Sequence, residues 1–212
     1  MKSYEILLLI IFVAVWIYLL TVFKRKKLSA FYFMTGTAGF FLIMFSTFKS
    51  LLAQGCAKVI CFVLDLLSNV MPLYTIYKEY NIIFIDHNNA SISLFIDYEC
   101  SGVIEILVIT AVVLFFPLFS KKQKAFYIPL GIFYTMVANI IRLLSIITIV
   151  YRYGNNSYYL AHSVIGRIIF YILTLFLYFY MLSWKQIKAQ KVGRFKFETN
   201  KSETKNKVEV KG

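Results

Sequence analysis

Three residues of the chain carry the functional groups that acyl transfer requires. Cys100 begins one apolar run, Arg142 lies near the end of the next, and His162 begins the run after that. A thiolate is a strong nucleophile, and an imidazole can take its proton and later protonate a leaving amine. A guanidinium can stabilise the oxyanion of a tetrahedral intermediate. These residue types indicate acyl transfer if the fold brings them together.

The composition is that of a membrane protein. Of 212 residues, 60% are apolar and 16% are charged, and the mean hydropathy is +0.72. An ordinary soluble domain has about 25% charged residues. The net charge of +13 comes from basic residues that lie between long apolar runs and form no single basic face. This pattern argues for membrane orientation and against nucleic-acid binding.

Cofactors and disulfides are not expected. Three Cys residues exclude a complete disulfide framework because the number is odd. The sequence holds no cluster of metal-ligating residues at a typical spacing and no glycine-rich phosphate-binding loop. We therefore predict neither a metal ion nor an organic cofactor.

The apolar runs predict an all-α, polytopic helical bundle with about five spans. They cover residues 4–23, 28–48, 101–119, 125–151 and 161–184. A hydrocarbon core about 30 Å thick needs about 20 helical residues. The first run is expected to be retained and not cleaved as a signal peptide, because its basic cluster follows the apolar residues instead of preceding them.

Two further regions complete the predicted organisation. Residues 51–74 are apolar but carry Lys58 and Asp65, which favours an interfacial or re-entrant helix. Residues 81–85 and 91–96 are short β-favouring runs around a polar segment, residues 86–90, and predict a small hairpin outside the membrane. Residues 1–184 would form the membrane-embedded domain. Residues 185–212 would be a basic tail that is disordered or bound to anionic lipid headgroups.

The distribution of Lys and Arg predicts the orientation. Sixteen of the 23 basic residues lie in residues 24–27, in residues 121–124 and after residue 184, which all fall on one side of a five-span topology. Five fall on the other side, and Arg142 and Arg167 lie within spans. The positive-inside rule places the N-terminus outside and the tail in the cytoplasm of a multi-pass cell-membrane protein.

This topology brings the three chemical residues to one depth. Arg142 lies about 17 residues into the fourth span, hence about 25 Å from the cytoplasmic side. Cys100 and His162 stand at the outer ends of the third and fifth spans. Asn139 lies three residues before Arg142 and shares its helix face. Cys100, Arg142 and His162 are predicted to meet at the outer boundary of the bilayer.

Three motifs resemble the signatures of the exosortase/archaeosortase family. They are Cys100-Ser101-Gly102 opening one span, Asn139-x-x-Arg142 near the end of the next, and Ala161-His162-Ser163-Val164-Ile165-Gly166 opening the one after. The resemblance is specific over residues 100–176 and general before that. With about five spans, the chain is similar to the compact exosortases of Gram-positive bacteria.

The resemblance implies a cysteine transpeptidase or peptidase that faces the outside of the membrane. Its substrates would be exported proteins with a C-terminal signal made of a short motif, a transmembrane helix and a basic cluster. Cys100 would be the nucleophile, Arg142 the oxyanion or substrate-positioning group, and His162 the general acid and base. An unknown amine, or water, would accept the acyl group.

Two other functions stay open from the residues alone. One is a small transporter, channel or assembly subunit in which Arg142, Glu105 and Arg167 form a buried charged path. The other is an accessory of a lipid-linked acyl or glycosyl transferase. In a transport path, charge changes at Glu105 and Arg167 should matter most. In an enzyme, Cys100→Ala should abolish function without removing the protein from the membrane.

The remaining charged residues near the motifs are expected first to have structural roles. Glu105 and Arg167 each lie five residues beyond a motif residue and are expected to pair, although pairing of Glu105 with Arg142 is equally open. Asp97 and Glu99 are expected to be solvated, or else to recruit a basic segment of a partner.

The other thiols and the second histidine are not assigned chemistry. Cys56 and Cys61 are expected to serve packing, because they are five residues apart and do not share a helix face. His87 is predicted to be a solvated residue in an Asn-rich turn.

Overall fold

Five α-helices and a three-stranded sheet make up the main elements of the part of the chain that the structure describes. The computed structural model describes residues 3–87 and 90–183. In chain order the elements are α1 (Ser3–Arg25), α2 (Ser29–Ser68), β1 (Thr75–Tyr77), β2 (Ile82–His87), β3 (Ala90–Phe95), α3 (Val103–Phe115), α4 (Lys121–Tyr153) and α5 (Gly166–Tyr178). A 3₁₀ turn (Asn155–Ser157) and a π-helix (Leu160–Ile165) precede α5, and a second π-helix (Phe179–Ser183) follows it.

The predicted class, a polytopic helical membrane protein, is confirmed. In the described part of the chain, four helical stretches are long and apolar enough to cross a membrane: Ile6–Arg25, Ser29–Ser68, Lys121–Tyr153 and Asn155–Ser183. Helix α3 is a shorter apolar helix. The predicted tail at residues 185–212 lies outside the described residues.

Helix α2 is one continuous helix of 40 residues, about 60 Å long. The prediction of a separate interfacial or re-entrant helix over residues 51–74 is therefore wrong in its boundaries. No proline interrupts the chain before Pro72, so nothing ends the helix at residue 50. A buried stripe at helical spacing continues along its second half, namely Ala53, Ala57, Ile60, Cys61 and Leu64.

The predicted hairpin is part of a three-stranded antiparallel sheet in the order β1-β2-β3. Ile83 pairs with Leu94 and Ile85 with Ile92 in the β2–β3 register, and β1 pairs with the other side of β2. Strand β2 is one residue longer than predicted and β3 begins one residue earlier, so His87 is the last residue of β2 and not part of the turn. Strand β1 was not predicted because its three residues are too few to show a detectable alternation of apolar and polar side chains.

Buried side chains form two clusters at opposite ends of the bundle. The first, here called the sheet-end core, joins α2 to the sheet, to the second half of α4 and to Cys100. The second, here called the far-end core, joins α3, the α3–α4 turn and the end of α5. Its buried members are Ile109, Val113, Phe116, Phe119, Leu177 and Met181.

Helix α4 is the central helix of the bundle and contributes its second half to the sheet-end core. It begins with a capping box in which the Ser120 hydroxyl accepts from the Gln123 amide and the Gln123 side chain accepts from the Ser120 amide. Helices α3 and α5 each pack along α4, with no comparable packing between α3 and α5. A crevice between α3 and α5 therefore has α4 as its floor.

Candidate active site

Cys100 lies in a tight turn between β3 and α3. One carboxylate oxygen of Asp97 accepts hydrogen bonds from the backbone amides of Glu99 (2.9 Å) and Cys100 (3.3 Å). The amide of Ser101 donates to the Asp97 carbonyl at 2.9 Å, and the Ser101 hydroxyl donates to the Tyr98 carbonyl at 3.2 Å. Aspartate favours such turns because its short side chain reaches the amides that follow it. Asp97 and Ser101 thus hold the cysteine by local bonds.

Gly102 ends this turn with a left-handed backbone. Its φ is +72°, a region that other L-residues enter only at a cost of about 1–2 kcal/mol. A Cβ at this position would also lie 3.4 Å from the Asn139 side chain. The Ser-Gly pair after Cys100 is therefore structural: it turns the chain from the sheet into α3.

Asn139 fixes the cysteine from the opposite side. Its side-chain amide donates to the Cys100 carbonyl at 2.7 Å, and the residue is fully buried. Its carbonyl oxygen has no hydrogen-bond partner in the described part of the chain. A contact between residues 39 apart ties α4 to the turn, so the backbone of Cys100 is held both locally and by the bundle.

His162 reaches the thiol from the π-helix that precedes α5. The Cys100 Sγ and His162 Nε2 atoms lie 3.5 Å apart, within hydrogen-bonding distance for sulfur. A π-helix adds one residue per turn and so redirects side chains relative to a regular helix, and such segments are frequent at functional sites. The ring of Tyr158 packs against the imidazole, with ring centroids 5.7 Å apart. The chain thus forms a thiol–imidazole pair.

Arg142 completes the group from α4. It is only 5% exposed, its guanidinium lies 5.7 Å from the centre of the Phe170 ring, and its Nε atom has no hydrogen-bond partner in the described part of the chain. A buried guanidinium normally finds acceptors for its donors. The guanidinium therefore borders the site with a donor that no described residue satisfies.

A pocket of about 190 Å³ opens beside the pair, and Arg142 and His162 line it. Glu105 of α3 and Arg167 of α5 line it as well. The expected Glu105–Arg167 ion pair is not formed, since within residues 3–87 and 90–183 the one salt bridge joins Lys78 to Asp65. The two side chains come from the helices that flank the crevice, so they face the pocket instead of each other.

Burial controls the acidity of Cys100. It is the main reason that the pKa of the thiol is raised to about 11, a net value that already includes the lowering of the pKa by the charge of Arg142. The carboxylates of Asp97 and Glu99 add to the increase. At neutral pH the thiol is therefore protonated, and it needs a base such as the neighbouring imidazole before it can act as a nucleophile.

The structure brings together Cys100, Arg142 and His162, as the sequence predicted, and adds Asn139 to this group. It places Glu105 and Arg167 on the adjoining pocket. Sequence reasoning missed the role of Asp97, although an Asp three residues before Cys100 and five before a glycine is a recognisable turn signal. The bond from Asn139 to the Cys100 carbonyl had no signal in the sequence, because its partners are distant along the chain.

Cys61 and Cys56 do not take part in this group. Cys61 is buried in the sheet-end core and Cys56 is half-buried on α2. Both are free thiols without the imidazole and guanidinium that surround Cys100. Their described positions match the predicted packing role.

The fold and this site define a polytopic helical membrane protein with a thiol, an imidazole and a guanidinium at one end of its bundle. The family model described as transmembrane exosortase matches residues 2–180. The chain belongs to the transmembrane exosortase family. Comparison with curated proteins gives no match. Comparison with solved structures gives none either.

Proposed function

We propose that this protein is a thiol transpeptidase or peptidase that cleaves the C-terminal sorting signal of exported proteins. The observation that carries the proposal is the 3.5 Å contact between Cys100 Sγ and His162 Nε2 beside the buried Arg142. Membership of the exosortase family supports the same reaction class. The substrate would be a protein anchored by a C-terminal transmembrane helix.

The first half-reaction would form an acyl-enzyme. His162 takes the Cys100 proton as the sulfur attacks the scissile carbonyl, so that a C–S bond forms and the carbonyl oxygen becomes an oxyanion. Arg142 donates to this oxyanion. The C–N bond then breaks, and His162 gives its proton to the departing amine, which carries the transmembrane helix away. A thioester remains at Cys100.

The second half-reaction would release the acyl group. An amine or a water molecule attacks the thioester carbonyl, and His162 takes a proton from the attacking atom. The C–S bond breaks, and the thiolate of Cys100 recovers its proton from His162. With an amine the result is a transferred protein, and with water it is a hydrolysed one.

The site would face the outside of the cell membrane. The basic residues around the α1–α2 turn (residues 24–27) and in the first turn of α4 (Lys121, Lys122 and Lys124) lie at the end of the bundle away from the sheet, which agrees with a cytoplasmic far end. A signal helix inserted alongside the bundle would then present its outer flank at the level of Cys100.

The test is mass spectrometry of the C-termini of exported proteins in a host that carries wild type, Cys100→Ala or His162→Ala. Membrane levels of all three are matched by blot. We expect one or a few proteins to keep an uncleaved C-terminal helix in both variants, which also names the substrate. Unchanged processing at equal membrane level would reject the proposal. Loss of function from Glu105 and Arg167 variants alone would favour a charged transport path.

A further inference from the structure

The free edge of β3 runs directly into the turn that carries Cys100. We infer that this edge binds the substrate by strand addition: the residues just before the substrate's transmembrane helix pair with β3 as a fourth, parallel strand. The inference rests on the proposed function, since it states how the scissile segment of that substrate is held.

The register shows which backbone groups of β3 are available. The Ile96 amide donates to the Asn81 carbonyl at 3.0 Å, so residue 96 faces β2. In an antiparallel pair, successive residues alternate between facing the partner and facing away. With Phe95 opposite Ile82 and Ser93 opposite Phe84, the amides and carbonyls of Ser93 and Phe95 point to the free edge. Both side chains are exposed.

The opposite edge of the sheet is a poorer candidate. It belongs to β1, which has three residues and packs against α2. Strand β3 has six residues, and none of the helices packs on it as α2 does on β1. Strand addition needs a run of outward backbone groups with room for another chain. In the described sheet, β3 meets this need better.

A peptide bound along the free edge of β3 would lie close to the thiol of Cys100. After Phe95 the chain continues for two residues to Asp97, whose side chain and carbonyl fold the next turn back on itself. At about 3.3 Å per residue, a peptide paired with Ser93 and Phe95 needs only two or three further residues to reach Cys100.

The direction of the added strand follows from the segment that comes after the strand, both in this protein and in the proposed substrate. Strand β3 ends at the turn, and the turn enters α3, which is apolar. The proposed substrate also passes from an extended segment into a transmembrane helix. A parallel added strand therefore lets the substrate follow the same path from the sheet into the bilayer, which an antiparallel strand would not.

A groove lies at the carboxyl end of β3, on the side of that strand that faces Asn81 and α2. It has a volume of about 590 Å³ and lies between the end of β3 and the middle of α2. Lys49 and Lys58 line its helix wall, whereas Glu79 and Asp97 line its sheet wall. Polar side chains of either sign can be accommodated, while the backbone pairing with β3 is indifferent to sequence.

The first test removes an edge amide. Ser93→Pro deletes an N–H that points away from β2, and proline is tolerated at such edge positions. We expect C-terminal processing about tenfold below that of Ser93→Ala, which keeps the amide, because a lost bond to bound peptide costs about one order of magnitude. Ile76→Pro deletes an outward amide on the β1 edge, and because the Ile76 side chain packs against the sheet-end core, it is compared with Ile76→Ala as the control pair. Equal processing in Ser93→Pro and Ser93→Ala, at equal membrane level, would overturn the inference.

The second test does not depend on the folding of the proline variant. A photo-cross-linking phenylalanine analogue replaces Phe95 or Tyr77, two aromatic residues that are each 57% exposed on opposite edges, in the Cys100→Ala background. We expect position 95, and not 77, to cross-link to the segment directly before the transmembrane helix of the accumulating substrate. Absence of this cross-link, or an equal one from position 77, would overturn the inference. If Cys100→Ala accumulates no substrate at all, the proposed function itself has failed.

Discussion

The two ends of the bundle hold different kinds of interior. The far-end core is apolar and aromatic: the Phe119 ring is tilted against Phe116, with ring centroids 4.8 Å apart, and stacked on Tyr127, with ring centroids 5.0 Å apart. The sheet-end core borders fully buried polar residues, among them Ser101 and Asn139. One end is built for packing, and the other contains groups that packing alone would not select.

The two ends of the bundle also differ in how completely their buried polar atoms are hydrogen-bonded. Four buried side-chain atoms in the described ranges lack a partner, and three of them belong to Asn139, Arg142 and His162. The fourth belongs to Thr37. Unpaired buried polar atoms cost stability, so their concentration around one thiol marks a site where stability is given up for function. The comparison teaches that apolar packing at the far end stabilises the fold, whereas the unpaired polar atoms at the sheet end destabilise it.

Outside the Cys100–His162 pair, the largest effect is expected from Asn139→Leu. It removes the 2.7 Å bond to the Cys100 carbonyl and should lower processing by about 10- to 100-fold, since a broken buried bond costs about 1–3 kcal/mol. Thr135→Val is the matched control. Thr135 lies one turn earlier on α4 and is equally buried, but its hydroxyl donates only to Gly131 of its own helix. Similar losses in both variants, measured as C-terminal processing at matched membrane level, would contradict a specific role for Asn139.

The next effect is expected from Gly102→Ala. The left-handed φ of +72° should cost about 1–2 kcal/mol and shift Cys100 relative to His162, so that processing falls by about tenfold. Gly55→Ala on α2 is the control, because a Cβ there would meet nothing within 4 Å. Processing and membrane level of both variants are measured side by side. A Gly102 variant that behaves like the Gly55 variant would show that the turn tolerates other conformations.

A smaller effect is expected on the pH dependence of thiol modification. Because the pKa of Cys100 is raised from 9.0 to about 11, its alkylation rate should keep rising through pH 9 and reach half of its maximum only near pH 11. Asp97→Asn keeps an acceptor oxygen for the turn but removes a charge that raises the pKa, so the profile should move to lower pH. Arg142→Gln should move it to higher pH. Mass spectrometry of the Cys100 peptide follows the reaction, and a plateau at pH 9 would contradict the burial of the thiol.

The smallest effect on the reaction is expected at the far end. Phe119→Leu removes two ring contacts, each worth about 0.5–1.5 kcal/mol, and should lower thermal stability and membrane level. Processing per molecule should stay within about twofold, because no residue of the site is touched. A large loss per molecule would show that the two ends are coupled and would weaken the comparison.

The sequence predicted the parts of this molecule that depend on composition. Apolar runs located the membrane helices because a hydrocarbon core requires about 20 apolar residues in a row. The chemical residues were found because Cys100, Arg142 and His162 are few and unusual at that depth. Their convergence followed from alternating the direction of the spans, with no knowledge of side-chain contacts.

The features that the sequence could not predict depend on tertiary context. The continuity of α2 past residue 50 is decided by packing of its second half on the sheet, which overrides the charges of Lys58 and Asp65. The π-helix around His162 has no local signature in its residues. Glu105 and Arg167 were expected to pair because opposite charges attract, but the crevice between α3 and α5 keeps them on separate walls of the pocket.

The shortness of α3 has a consequence for the lipid around the site. Its 13 residues cover about 20 Å, less than the roughly 30 Å of a hydrocarbon core, whereas α4 exceeds that thickness. A helix too short for its bilayer thins the membrane locally. The boundary between water and the hydrocarbon core should therefore lie closer to the bilayer centre near Cys100. The acyl chain length of the host lipids would then set how readily water competes with an amine for the thioester.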